Sequence, residues 1–169
     1  DDGYQADAAL VSSLRENLGE NYEVIYPEIP SDEDVEDFGW PDQIGKEIAV
    51  FKGQFVLVAH SLGASMLLKY LSENNVSVKP TGIFLIATPF WSGNEQWKQG
   101  LKLREEFAEN LPKSSRFFFY HCKDDEEVPF DHLAQYKQNL PAATLRELET
   151  GGHQLGGKID LVAKDIKEL

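Results

Sequence analysis

Two uninterrupted apolar runs constrain the fold of this chain more than any other feature. Residues 55–59 read Phe-Val-Leu-Val-Ala, and residues 82–87 read Gly-Ile-Phe-Leu-Ile-Ala. A strand without polar positions needs cover on both of its faces, which parallel sheets obtain from helices packed on each side. An aromatic-rich run at 116–121 and a shorter run at 144–148 follow along the chain. Together these runs predict a largely parallel sheet covered by helices.

The segments between the runs carry helical spacing. Leu10, Leu14 and Leu18 recur on one helical face, which predicts a first helix over about residues 6–18. Similar reasoning predicts helices at about 42–51, 64–71, 95–110, 131–139 and 159–169, and a short strand at 23–26. Alternating strands and helices are typical of the α/β class. Because no linker or repeat divides the chain, we expect a single domain over residues 1–169.

The charge of the chain is concentrated in its first third. The 169 residues carry a net charge of −13, and residues 1–50 hold 14 acidic side chains against only Arg15 and Lys46. A solvated surface is the favoured interpretation, with contact to a basic protein partner as the alternative. Nucleic-acid binding is disfavoured because phosphate contacts need clustered lysines and arginines. No apolar run approaches the roughly 20 residues of a membrane-spanning helix.

The single cysteine indicates in which cellular compartment the protein is expected. Cys122 cannot form an internal disulfide, and the start at Asp1 shows no signal-peptide pattern. We therefore expect a cytoplasmic protein.

The sharpest motif follows the first apolar run. Ala59-His60-Ser61-Leu62-Gly63 leads directly into a helical segment. A sharp strand-to-helix turn lifts a serine above the carboxyl edge of the sheet, where its hydroxyl is exposed for nucleophilic attack. Ala59 and Gly63 provide the small side chains that such a crowded turn needs. The backbone N–H of Leu62 is then the natural first donor to an oxyanion.

Two further segments supply partners for such a serine. The 116–121 run is followed by four consecutive acidic residues, of which Asp125 is favoured by its position before Val128-Pro129; Asp124, Glu126 and Glu127 stay open as alternatives. After the last short strand, His153 follows two glycines that let a loop aim an imidazole.

The chain order Ser61…Asp125…His153, each residue just beyond a strand, is the order expected of a hydrolase triad. In open parallel sheets, sites form outside the carboxyl ends of the strands. The three positions therefore predict one site.

The remaining histidines receive other interpretations. We expect His60 to be a scaffold residue beneath the turn, and His121 and His132 to be surface or strand-end residues. Four scattered histidines do not form a metal-ligand pattern, so we expect neither a metal nor another cofactor.

Aromatic residues after the 82–87 run are candidates for a substrate pocket. Phe90 and Trp91 would either line an acyl or leaving-group pocket or pack between loop and helix, and these two interpretations are about equally favoured. Trp40 and Trp97 are weaker pocket candidates.

These segments resemble the α/β-hydrolase superfamily, and within it the small serine hydrolases of the retinoblastoma-binding serine hydrolase type and their bacterial relatives. The resemblance rests on residues 58–63 (Val-Ala-His-Ser-Leu-Gly), 85–87 with 89–91, 123–125 with 128–130, and 151–154 (Gly-Gly-His-Gln). It implies a triad of Ser61, Asp125 and His153, a domain without a large lid, and metal-free hydrolysis of esters or peptide-like bonds.

The chain departs from this family in one respect. Relatives begin with an apolar strand whose glycine-containing loop donates the second oxyanion N–H, whereas this chain starts at Asp1-Asp2-Gly3. We therefore expect the first strand of the family to be missing here. Losing one oxyanion donor costs about 10²–10³ in turnover, which predicts a weaker hydrolase.

Two function hypotheses follow. The first is a serine hydrolase that cleaves a small ester or related acyl substrate through an acyl-enzyme; perhydrolase chemistry would use the same triad. The alternative is a protein-interaction domain on a hydrolase scaffold with a weak or vestigial site, using the acidic first third as its contact surface. The complete triad favours the hydrolase.

Overall fold

The apolar runs form one parallel sheet in the computed structural model, which describes residues 2–93, 98–157 and 159–169. The four strands are β1 (Val56–His60), β2 (Gly82–Ile86), β3 (Arg116–Cys122) and β4 (Thr144–Leu148). Their order in the sheet is the same as their order in the chain, and every neighbouring pair is parallel. One row across the sheet runs Val58, Phe84, Phe118, Thr144. All carboxyl ends therefore lie along one edge.

Helices cover both faces of this sheet. They are α1 (Asp2–Leu18), α2 (Trp40–Ala49), α3 (Ser61–Glu73), α4 (Phe107–Asn110), α5 (His132–Asn139) and α6 (Ile159–Lys167). On one face, Leu14 and Leu18 of α1 and Val162 of α6 pack against Phe84 and Phe118. The opposite face buries side chains of α3, α5 and the sheet, among them Leu68, Leu71, Leu133, Tyr136, Ile83 and Leu85. Every residue of β2 is buried, as its uninterrupted apolar sequence requires.

The strand predicted at 23–26 is wrong. The segment has no partner strand among the described residues, and side chains of α1 satisfy its polar groups instead. Arg15 Nη2 donates to the carbonyl of Val24 at 3.1 Å, and Tyr4 Oη donates to that of Tyr26 at 3.3 Å. The Tyr4 and Tyr26 rings stack with centroids 4.4 Å apart. A strand needs a neighbouring ladder, and α1 does not provide one.

The helix predicted at 95–110 is also wrong as one continuous helix. In the described part of that range, only a 3-10 turn, Gln99–Leu101, and the four residues of α4 are helical. Leu101, the last residue of the 3-10 turn, and Leu103 are both buried, whereas a continuous α-helix places residues three or four apart on one face. Residues 95–97 lie outside the described residues.

The other predicted elements are confirmed with shifted ends. The helix predicted at 42–51 begins at Trp40, and the helix predicted at 64–71 begins at Ser61. In the parts of the chain that the structure describes, no helix has the length and apolar character needed to cross a bilayer.

Candidate active site

Ser61 lies at a sharp turn between a strand and a helix. β1 ends at His60 and α3 begins at the next residue, where the backbone of Ser61 has a φ of +52°. A non-glycine residue in this left-handed region costs about 1–3 kcal/mol and persists only when its surroundings hold it there. The first N–H groups of a helix lack partners within the helix, so the turn directs free donors toward the partly exposed serine. The local backbone therefore has the form that a nucleophilic serine requires.

Crowding at Gly63 is not found. Apart from its chain neighbours and the backbone of its own helix, an added Cβ at this position would meet no described atom within 4 Å, so the expected steric need for glycine there is wrong in this structure. The turn is instead stabilised by Ser65, whose Oγ donates to the carbonyl of Leu62 at 2.9 Å.

The structure brings Ser61, Asp125 and His153 into one hydrogen-bonded chain. Ser61 Oγ lies 2.9 Å from Nε2 of His153, and Nδ1 of the same ring lies 3.1 Å from both Oδ1 and Oδ2 of Asp125. The His153 side chain is 3% exposed and that of Asp125 is fully buried. Beside an ionised carboxylate the neutral ring carries its proton on Nδ1, so Nε2 is free to accept the serine proton.

Asp125 is held in its ionised form. Burial opposes the charge, but the backbone N–H groups of Val128 and Glu127 both donate to Oδ1 at 2.9 Å, and His153 adds a further bond. The net result is a pKa below the ordinary aspartate value. The carboxylate is therefore charged at neutral pH, as an orienting partner of an imidazole must be.

Two of the alternative acids hold the main chain of the histidine loop. Asp124 accepts hydrogen bonds from the N–H groups of Gly151 and Gly152, at 3.2 and 2.9 Å. Glu126 Oε2 accepts from the N–H of His153 at 3.1 Å. Neither carboxylate reaches the imidazole nitrogens through a described contact, so of these acids Asp125 has the orienting position.

Glu127, the last of the four acids, lies at the entrance. Its Oε2 is 3.5 Å from Nε2 of His153, and its side chain is 66% exposed. This carboxylate adds negative potential beside the nitrogen that lies 2.9 Å from Ser61 Oγ.

Sequence reasoning missed the position of His121. The residue is near the end of β3, as expected, but its side chain is only 1% exposed rather than at the surface. Its Nε2 lies 2.9 Å from the carbonyl of Val128 and 3.2 Å from Oδ2 of Asp125. The spacing of four residues between His121 and Asp125 was the one signal in the sequence. His121 therefore supports the carboxylate from behind.

Asp7 was also missed, because nothing in the sequence links it to the motif around Ser61. Helix α1 places its carboxylate 2.9 Å from Nδ1 of His60. The other nitrogen of His60 lies 2.9 Å from the main-chain carbonyl of His153. His60 is thus a buried neighbour of the site, in the place expected for it.

The candidate pocket aromatics have different surroundings. Phe90 packs edge-on against Tyr136, with centroids 5.1 Å apart, and its N–H donates to Nδ1 of His132 at 2.8 Å. These are the contacts of a packing residue. Trp91 Nε1 donates to Ser65 Oγ at 3.1 Å, so Trp91 lies against the first turn of α3. Trp40 packs against the cluster of Phe38, Met66 and Leu101, and Trp97 lies outside the described residues.

Several solved structures have a fold similar to this one. A putative α/β-superfamily hydrolase from Xanthomonas campestris superposes with a TM-score of 0.67 at 19% identity, covering 96% of this chain and 92% of its own. Est1E from Butyrivibrio proteoclasticus gives 0.67 at 14% identity, covering 96% and 81%. The ydeN gene product of B. subtilis gives 0.59 at 24% identity, covering 76% and 72%. At these identities the likeness establishes the α/β-hydrolase fold.

Sequence comparison is more specific. A search among curated proteins found no match. The profile of the family described as serine hydrolase matches residues 12–156, which include the turn at Ser61, the acidic segment after β3 and the loop of His153. The match spans most of the chain, and the chain belongs to the serine hydrolase family, on an α/β-hydrolase fold.

Proposed function

We propose that the protein cleaves carboxylic esters or related acyl bonds through an acyl-enzyme formed on Ser61. The observation that carries the proposal is the hydrogen-bonded chain from Ser61 Oγ through His153 to the buried carboxylate of Asp125. A lipase-esterase related protein from Clostridium acetobutylicum has a similar fold, with a TM-score of 0.60 at 13% identity, covering 95% of this chain and 88% of its own, which supports an ester as substrate class.

In the proposed reaction, His153 Nε2 takes the hydroxyl proton as Ser61 Oγ attacks the carbonyl carbon. The ring becomes an imidazolium, and Asp125 stabilises that charge across the 3.1 Å contact. His153 then gives the proton to the leaving alkoxide as the acyl–oxygen bond breaks. A water molecule repeats the sequence on the acyl-enzyme, which releases the acid and returns the proton to Ser61.

The tetrahedral oxyanion needs donors that are already in place. The N–H of Leu62 is in the first turn of α3, where no helical carbonyl can accept from it. The helix N-terminus adds a favourable partial positive charge. We assign Leu62 N–H as the first oxyanion donor.

The test is covalent labelling with a fluorophosphonate, read by intact mass, on the parent chain and two variants. One adduct on the parent is expected, with no adduct on Ser61→Ala and labelling slowed at least 10³-fold in His153→Ala. Ser12→Ala is the matched control, since it removes an exposed hydroxyl on α1, and it should label like the parent.

Two results would contradict the proposal. Labelling of Ser61→Ala would place the reactive group elsewhere. No adduct on a folded parent would favour the alternative of a protein-interaction domain on this scaffold. A positive result is followed by hydrolysis of p-nitrophenyl esters of increasing chain length, which defines the acyl preference.

A further inference from the structure

A second histidine–carboxylate pair lies directly beside the triad. His60 Nδ1 is 2.9 Å from Oδ1 of Asp7, and His60 Nε2 is 2.9 Å from the main-chain oxygen of His153. The His60 side chain is 7% exposed, and its ring centroid lies 4.6 Å from that of His153. Neither the proposed attack nor the oxyanion donor uses this pair.

The partners of His60 determine its protonation. A carboxylate oxygen and a carbonyl oxygen are both acceptors, so each of the two ring nitrogens must donate. A neutral imidazole has only one N–H, and either tautomer would leave a nitrogen lone pair facing an oxygen lone pair. Only the imidazolium satisfies both contacts. The geometry thus assigns His60 a positive charge, balanced by Asp7.

The electrostatic surroundings agree with this assignment. Burial disfavours the charge, but the hydrogen bond and charge of Asp7 outweigh it, with smaller support from the His153 carbonyl and from Asp125, so the pKa of His60 is raised. Burial likewise opposes ionisation of Asp7, yet His60 and Gln154 lower its pKa overall. Tyr26 faces the same carboxylate, and burial together with Asp7 raises its pKa to about 12, which keeps it neutral.

The pair ties three parts of the chain together. Asp7 of α1 also accepts from Gln154 Nε2 at 3.0 Å, so consecutive residues of the histidine loop are held by His60 and by Asp7. Because His60 immediately precedes Ser61, its bond to the carbonyl of His153 joins the backbone of the serine to the backbone of its base. This bond restricts the distance between the two side chains that must exchange a proton.

We infer that His60 is a positioning residue, an imidazolium clamped between Asp7 and the main chain of His153, which holds the catalytic imidazole at hydrogen-bonding distance from Ser61. The inference rests on the proposed function of Ser61 and His153. Misplacement of reacting groups by about 1 Å can slow a reaction by about 10²-fold. We therefore expect loss of this clamp to slow the reaction of Ser61 by a factor of that order.

The clamp makes activity depend on pH in a defined direction. It is complete while His60 is protonated, and one of its two bonds is lost as the pH rises through the raised pKa of the ring. In Asp7→Asn the neutral amide no longer supports the charge, so this loss moves to lower pH. This loss of activity forms an alkaline limb in the pH profile. The titratable groups that face His60 are Asp7, Asp125 and the neighbouring ring of His153.

The charge of His60 can be measured without any turnover. In ¹⁵N-histidine NMR of the full chain, with the signal assigned through His60→Gln, both ring nitrogens should be protonated at pH 7, where an ordinary histidine with a pKa near 6.5 is mostly neutral. Asp7→Asn should make the ring neutral at the same pH. A neutral His60 in the parent, or an unchanged titration in Asp7→Asn, overturns the assignment.

Positioning is tested by two further readouts. Amide hydrogen exchange at residues 151–154 should be at least tenfold faster in Asp7→Asn than in the parent, whether or not the protein turns over substrate. Fluorophosphonate labelling should slow about 10²-fold in His60→Gln and in Asp7→Asn. The alkaline limb of the labelling rate should lie at lower pH in Asp7→Asn than in the parent. Tyr4→Phe, on the same helix, is the control and should leave that limb in place.

The outcomes separate the two proposals. A parent that does not label contradicts the hydrolase function, while NMR and exchange still decide whether the clamp exists. A parent that labels, with the same pH profile and loop exchange in Asp7→Asn, contradicts the positioning role and leaves the hydrolase intact. If one variant fails to fold, the parent NMR and the other variant still decide.

Discussion

Nδ1 of His153 lies at equal distances, 3.1 Å, from the two carboxylate oxygens of Asp125. One of these oxygens also accepts two backbone N–H bonds, and the other faces Nε2 of His121. The carboxylate is therefore surrounded by donors and has no freedom to turn away from the imidazole. The orientation of the His153 ring should therefore depend on Asp125 and on the residues that donate to this carboxylate.

Asp125→Asn should abolish most of the reactivity while preserving the fold. The amide cannot stabilise the imidazolium and favours the ring tautomer in which Nε2 carries the proton, which costs about 10⁴-fold in a serine triad. The second-order rate constant for fluorophosphonate labelling is the measurement. Asp131→Asn, an exposed aspartate of the same loop region, should label at the parent rate. Parent-like labelling of Asp125→Asn would assign the orienting role to another acid.

His121→Ala should both destabilise the protein and slow labelling. The substitution leaves the buried carbonyl of Val128 without its 2.9 Å partner, and an unsatisfied buried group costs about 1–3 kcal/mol. It also removes the contact behind Asp125, for which we expect roughly a tenfold slower labelling rate. His121→Gln keeps a donor and should recover much of both effects. Equal losses in the two variants, measured by urea unfolding and labelling, would contradict this role.

The turn at Gly151 should tolerate no side chain. Its φ is +142°, and an added Cβ would lie 2.8 Å from the backbone of Leu155 and 2.9 Å from Cys122 Sγ. Gly151→Ala combines backbone strain with a clash that backbone atoms cannot relieve, so a loss of about 3 kcal/mol or more is expected, with slower labelling. Gly53→Ala is the control, because Gly53 also has a positive φ but open space around it, and it should cost only about 1 kcal/mol.

Asp165 should make the stability depend on pH at the acid end. Burial opposes its charge, but Arg146 and the hydroxyl of Tyr120 donate to it, and the pKa is lowered overall. Its contribution is complete above the ordinary value of 3.8 and is lost as the pH falls through the lowered native value. Asp165→Asn should therefore cost about 2 kcal/mol at pH 7 and flatten the acid limb of the unfolding curve.

Unfolding by urea between pH 2 and pH 7 measures this dependence. Glu149→Gln removes an exposed partner of Lys123 and should leave the curve unchanged, which separates the buried network from general surface charge. An acid limb of the same depth in Asp165→Asn would assign the pH dependence to other carboxylates.

Local sequence was sufficient to predict those parts of the fold whose conformation depends mainly on neighbouring residues. The apolar run before Ser61 is a strand because its residues have no polar face, and the helix-forming segment directly after it predicts the turn at Ser61. The segment 23–26 has strand-like residues too, but a strand depends on a neighbour that composition does not report. The charged stretch before α4 was predicted as one helix, but its buried leucines at 101 and 103 are two residues apart, a spacing that a continuous α-helix does not place on one face.

The candidate site shows the same division. Ser61 and His153 are flanked by residues of recognisable type, so motif and order were enough to predict that their side chains lie together. Asp7 is far from His60 along the chain, and only the packing of α1 brings their side chains together. His121 is four residues before Asp125, but this spacing alone does not show that both side chains are buried. Buried polar pairs of this kind are set by tertiary structure. Histidine and aspartate are residue types common at protein surfaces, so neither residue alone indicates that it is buried.

The strand order described above also has a consequence for synthesis. Because each strand pairs with the one made just before it, the sheet can grow by addition at a single edge as the chain leaves the ribosome. Ser61 and His153, the proposed nucleophile and base, are 92 residues apart in that process. On the proposed mechanism the serine therefore emerges long before its imidazole, and a nascent chain holds an inert hydroxyl until the final strand and its loop have been translated.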